Sequence, residues 1–203
     1  METPEHIRRQ RIIGGNIALD LLNTQSKDVL ADYGDLLAWS QHVGILTETE
    51  ADGLLRRSRR QPMDARAAFE RARETRSYLH DVFSAIAAGG GPPVLAIDRL
   101  QRDETEALAH AKLVAAGETF SWSWDQEDDI QRPLWLVIHA ALTLLTVGPL
   151  DRVKGCASCS FLFLDESKNR SRRWCSMEAC GTNDKMRKYV ARRAAARSAG
   201  RES

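Results

Sequence analysis

The residues best suited to chemistry are four cysteines, and the chain has no others. They stand as Cys156-x2-Cys159, fifteen residues, then Cys175-x4-Cys180. Two close pairs separated by a short polar segment match the spacing of a tetrathiolate zinc site. A Cys-x2-Cys step brings two thiolates onto one tetrahedral ion from a tight turn. The second pair closes a module too small to build a core of its own, so the metal supplies its folding energy. Four thiolates complete the coordination shell and leave no position for substrate, which predicts one structural Zn2+ rather than a catalytic one. The competing reading, a disulfide or a redox pair at Cys156 and Cys159, belongs to an oxidising compartment.

The chain gives no sign of such a compartment. Met1 to Gln10 is polar, and the longest apolar stretch, Leu134–Leu145, is too short to span a bilayer and contains His139. A cytoplasmic location is expected. The formal net charge of +1 hides an asymmetry. From Asp151 onward there are 13 Lys/Arg against 6 Asp/Glu, whereas the first 150 residues carry 16 against 22. A basic tail on an acidic body suits a polyanionic partner, although cations near a tetrathiolate also offset its own negative charge.

The elements that must position these residues follow from periodicity. With 43% hydrophobic residues the chain can bury a core. Asn16–Thr24 fits a short helix or a strand equally well. Tyr33–Val43 has apolar residues near helical spacing, and Thr47-x-x-Glu50 is a capping box that opens a helix to about Arg60. Pro62 starts a long helix through Ala88, closed by Gly89-Gly90-Gly91. A further helix is expected over about Val94–Ala116. Phe120, Trp122 and Trp124 alternate with polar residues as in a strand, whose partner is sought near Asn16. Gln131–Val147 is the most apolar helix and predicts the centre of the core. These readings give a mainly α (α+β) fold: a helical body over residues 1–150 and a zinc module over 151–203.

Within the module, Phe161–Leu164 reads as a short strand, Asp165–Arg172 as a loop, and Arg173–Cys175 as a second strand completing a hairpin. A helix follows from Ser176 to about Ser198. This order of knuckle, hairpin and ligand-bearing helix is treble-clef-like. On that helix Lys185, Lys188 and Arg192 fall on one stripe, and Met186, Val190 and Ala194 fall on another expected to face the module or the body. Asp165 and Asn169 are expected to tie the loop through side-chain-to-backbone bonds. Trp174 is expected to cap the module.

Cys156-x2-Cys159, Phe163, Asp165, Ser167, Asn169, Ser171-Arg172-Arg173-Trp174-Cys175-Ser176-Met177, Cys180-Gly181 and Lys185 together resemble the CGNR zinc-finger family. These are bacterial proteins described as stress-related transcription regulators with an N-terminal ABATE domain. Leu19-Asp20-Leu21-Leu22-Asn23-Thr24 is similar to the Leu-Asp-x-x-Asn-Thr signature of that domain. One departure stands out. Where the family motif reads Cys-Gly-Asn-Arg, this chain reads Cys180-Gly181-Thr182-Asn183-Asp184. A phosphate contact made by the motif arginine would have to come from Lys185 or Arg187.

The resemblance implies a regulator that binds DNA. The candidate nucleic-acid contacts are Arg172, Arg173, Lys185, Lys188 and Arg192, with Arg170 adding charge to the same module. The alternative is a zinc-stabilised module that docks a protein partner, on a helical body that dimerises or senses a small-molecule effector. Asp20 and Asn23, polar within an apolar segment, are either members of a buried hydrogen-bond network or lining of a small-ligand pocket. The five histidines lack ligand spacing, and no nucleophile–base pair or phosphate loop is present, so no catalytic residue is expected.

Overall fold

The structure, a computed structural model, describes residues 2–27, 29–124 and 129–199. It is mainly α-helical with two small antiparallel hairpins. A single turn, α1 (Glu5–Arg8), leads to α2 (Ile17–Asn23). Asn16 Oδ1 accepts from Ala18 N at 2.9 Å and so starts α2 as a helix, which settles the helix-or-strand ambiguity. The helices α3 (Tyr33–His42), α4 (Glu48–Arg60) and α5 (Pro62–Ala87) follow. The Thr47/Glu50 capping box is present, and Gly89 at φ +76° ends α5 in the left-handed conformation.

Helix α6 (Val94–Ala109) is shorter than its sequence suggests. Residues assigned above to its last turns instead form β1 (Lys112–Ala116), paired with β2 (Thr119–Ser123) across a two-residue turn. Gly117, at φ +66°, supplies the positive φ that the first position of such a turn needs. The strand around Phe120 therefore finds its partner next door rather than near Asn16.

Helix α7 (Arg132–Val147) packs against α6 and α2. The core gathers Leu19, Leu21, Leu22, Leu36, Leu37, Trp39, Leu54, Leu79, Phe83 and Ile138, all essentially inaccessible. Helix α2 is buried from Ala18 to Asn23, on every face. A helix so enclosed must satisfy each polar group internally.

A short 3-10 turn (Leu150–Arg152) leads into β3 (Val153–Gly155), which pairs antiparallel with β4 (Leu162–Leu164). This corrects the hairpin expected from the sequence: β4 pairs with the strand before the Cys156–Cys159 turn, not with residues 173–175. Val153, Leu162 and Leu164 belong to the same core cluster as α2, α5 and α7. The apolar face of this hairpin is buried against the body. A single π-helical turn (Met177–Gly181) then opens α8 (Thr182–Ala199).

Candidate metal centre

The hairpin β3–β4 carries Cys156 and Cys159 in its connecting turn, closed by Cys156 N donating to Phe161 O at 2.8 Å. Ala157 N donates to Arg173 O at 2.9 Å and holds the returning chain beside the turn, so that Cys175 arrives without a strand. Cys180 comes from the π-helical turn, whose start is capped by Ser176 Oγ accepting from Ala179 N at 3.3 Å. Gly181 follows it. A Cβ there would lie 2.6 Å from Met177 Sδ and 3.5 Å from Trp174 Cε3, so a side chain at this position would displace the Met177 thioether. Trp174 thus lies against the turn that presents Cys180, as expected of a cap.

The four Sγ atoms lie within 4.8 Å of one another. Cys159–Cys175, Cys175–Cys180 and Cys180–Cys159 are separated by 3.6, 3.5 and 3.6 Å. Those separations are far beyond a disulfide bond of ~2.05 Å. They match the edge of a tetrahedron with metal–sulfur bonds of ~2.3 Å, which is ~3.8 Å. The donor set and its geometry fit one structural zinc.

Electrostatics point the same way. Burial and the neighbouring thiols of Cys180 and Cys159 push the Cys175 thiol well above the ordinary range. Burial likewise raises Cys159 to about 11. At Cys156 burial is outweighed by the N–H groups of Cys175, Ser158 and Cys159, which bring it down to about 7. Four adjacent thiols cannot all ionise alone; a divalent cation at their centre reverses that preference.

The polar residues of α2 hold this module to the body. Asp20 Oδ1 accepts from Ile13 N at 3.0 Å and Gly14 N at 2.8 Å. Burial raises the Asp20 carboxyl, and the two N–H groups partly offset that. The turn so fixed offers Gly14 O to Leu164 N at 2.8 Å. Asn23 Nδ2 donates to Leu162 O at 3.0 Å, and Asn23 Oδ1 accepts from Leu162 N at 2.9 Å. Asp20 and Asn23 are therefore parts of an internal network running from α2 to β4.

Residues 15–148 match the family model described as "Putative stress-induced transcription regulator", ABATE. The chain belongs to this ABATE family. Residues 152–193 match the CGNR zinc finger, in the order and place that the cysteine geometry requires. No curated protein matches the chain. In ABATE terms, the Leu-Asp-x-x-Asn-Thr signature here is the seam between the helical part and the CGNR finger.

The cations of the finger separate into two kinds. Arg172 is structural. Its Nη2 donates to Cys175 O at 2.6 Å and Ile13 O at 3.4 Å, its Nη1 to Leu164 O at 3.3 Å and its Nε to Trp174 O at 3.2 Å. The guanidinium also lies 4.2 Å over the Phe163 ring. A group engaged with four carbonyls is not free for phosphate, which corrects the reading of Arg172 as a nucleic-acid contact. Lys154 is likewise engaged, with Asp165 Oδ2 at 2.6 Å and with Arg170 O.

Asp165 is the anchor of the loop, as expected. It is fully buried and also accepts from Ser167 N, Ser167 Oγ and Arg172 N. Burial opposes its charge, but Lys154, Ser167 and Arg172 together hold its carboxyl well below the usual range. Asn169 stands exposed in the same loop.

The second kind lies on α8. Lys185, Arg187, Lys188, Arg192 and Arg193 are exposed, as is Arg173 beside Trp174. Lys188 Nζ pairs with Asp184 Oδ2 at 2.8 Å, and Arg187 Nη2 reaches back to Ser158 Oγ at 2.6 Å. The other stripe differs from expectation. Met186 and Val190 are each 58% exposed, and Tyr189 is 51% exposed, so this stripe packs on neither module nor body. The side chain of Ala194 lies outside the described residues. The reason is geometric: α8 meets chiefly the turn that precedes it rather than the helices of the body.

Proposed function

We propose that this zinc-finger regulator binds DNA through α8 and Arg173, with zinc fixing the direction in which α8 leaves the finger. The observation that carries this reading is the exposure of α8. Every residue from Lys185 to Arg193 is exposed, five of those nine are Lys or Arg, and no element of the body covers them. An exposed helix this rich in cations has a phosphate backbone as its complement. Asp184 tempers the charge at the N-terminal end, where the motif arginine is missing; Lys185 and Arg187 flank it and take that place. Phosphate contacts of this kind position a protein without reading sequence. The metal is left without a catalytic part, since four thiolates fill its shell.

Fluorescence anisotropy of the zinc-loaded chain with a mixed-sequence duplex tests the proposal. The expected result is binding that weakens log-linearly with salt, with a slope corresponding to about three to five phosphate contacts. Absence of binding at low ionic strength overturns it. One observation favours a second reading, docking of a protein: Met186, Tyr189 and Val190 give α8 an exposed apolar stripe beside its cations. Under that reading the anisotropy stays flat and Met186→Ser abolishes capture of an acidic partner. No helix among the described residues is long and apolar enough to cross a membrane.

A further inference from the structure

A groove of about 800 Å³ lies between the C-terminal end of α5, α6 and the last turns of α7. Its wall is apolar: Ile86, Ile97, Leu142, Leu145 and Leu150 are half-buried, each packed on the core from one side and open to the groove from the other. The Gly89–Gly90 turn and Pro92 form one rim. A Cβ added at Gly89 would meet nothing within 4 Å, so no other group crowds this rim. Size and lining are those of a site for a small organic molecule.

Three polar residues line it: Gln101, Thr146 and Asp151. Thr146 Oγ1 is occupied by Leu142 O at 2.9 Å. Asp151 is the only charged residue among those lining the groove. Its carboxylate is paired with Arg170, both side chains being more than half exposed. An exposed pair of that kind contributes ~1 kcal/mol or less, so a cation held against the apolar wall can compete for the carboxylate. Arg170 belongs to the finger, and its carbonyl oxygen accepts from Lys154. The groove therefore opens where the helical part becomes the finger.

We infer that this groove is a binding site for a small lipophilic cation, its apolar body lying against Ile97, Leu142 and Leu145 and its charge meeting Asp151. This goes beyond the DNA reading and does not depend on it. Calorimetric titration of the zinc-loaded full chain with tetraphenylphosphonium and with tetraphenylborate, the same shape with the opposite charge, isolates the electrostatic part. Tetraphenylphosphonium is expected to bind with a dissociation constant of about 1–100 µM, and tetraphenylborate about tenfold more weakly. Asp151→Asn should erase that preference while leaving zinc content intact. Thr146→Trp, a change at an exposed helix position that fills the groove, should weaken the phosphonium about tenfold or more with helicity and thermal midpoint unchanged. Equal binding of the two ions, binding unaffected by Thr146→Trp, or no binding below about 1 mM would each overturn the inference.

Discussion

Asn23 and Leu162 are 139 residues apart in the chain and are joined at both ends of one side-chain amide, 3.0 Å from Nδ2 to the Leu162 carbonyl and 2.9 Å from its N–H to Oδ1. The amide substitutes for a neighbouring strand at the edge of β4. Replacing Asn23 by Ala strands a buried N–H and a buried carbonyl, at a cost of about 2–4 kcal/mol. Urea unfolding of Asn23→Ala should show that loss, and limited proteolysis should cut first near residues 150–165. An unchanged urea midpoint would show that the seam is held elsewhere.

Zinc should be present at about one equivalent per chain, read by elemental analysis of freshly reduced protein. Cys175→Ser should lose it, because Cys175 is the buried member of the quartet and neighbours two other Sγ atoms. Chelation should expose residues 156–181 to protease before the helices of the body, whose core is largely built from other segments. Full zinc retention in Cys175→Ser would refute the four-thiolate assignment.

Arg172 and Lys185 should separate cleanly. Arg172→Ala removes a guanidinium that ties Leu164, Ile13, Trp174 and Cys175 and should cost about 2–4 kcal/mol of stability. Lys185→Ala and Arg192→Ala should stay within about 0.5 kcal/mol of the parent. Each should lower DNA affinity and reduce the salt slope by about one. If Lys185→Ala and Arg192→Ala bind like the parent, α8 is not the DNA-contacting element.

Asp165 sets a pH dependence whose sign follows from its environment. Its folded-state carboxyl is held below the ordinary value of 3.8 by Lys154, Ser167 and Arg172, against the opposing effect of burial. The native state thus favours the ionised form, and the stability it contributes is full above pH ~4 and falls as the pH drops below that. Asp165→Asn should be less stable than the parent at pH 7. The gap in urea midpoint between the two should narrow as the pH is lowered below about 4. A pH-independent gap would assign the effect to packing rather than charge.

Much of this architecture is legible in the sequence, for identifiable reasons. The cysteine spacing states the metal because ligand geometry is local. Helices α3, α4, α5 and α7 follow from caps, prolines and apolar periodicity that act within a few residues. Strand partners do not. Lys112–Ala116 has enough helix formers to extend α6, and only the turn at Gly117 and Glu118 signals the hairpin. The pairing of β4 with β3 was hidden because three-residue strands carry no period. The role of Arg172 is not legible in sequence, because a guanidinium looks alike whether it meets phosphate or the carbonyls of Ile13, Leu164, Trp174 and Cys175. Asp20 and Asn23 stand out as polar residues in an apolar run; Asp20 meets the nearby Ile13 and Gly14, but the partner of Asn23, Leu162, lies in the finger and leaves no local trace.

The hairpin that bears the first two cysteines is embedded in the same core as the helices, so α8 leaves the molecule from a fixed root rather than a tether. At 18 residues it extends ~27 Å. It is a lever arm. A tilt of ~10° at the π-helical turn would carry its far end through ~5 Å, more than the ~3.4 Å between neighbouring base pairs.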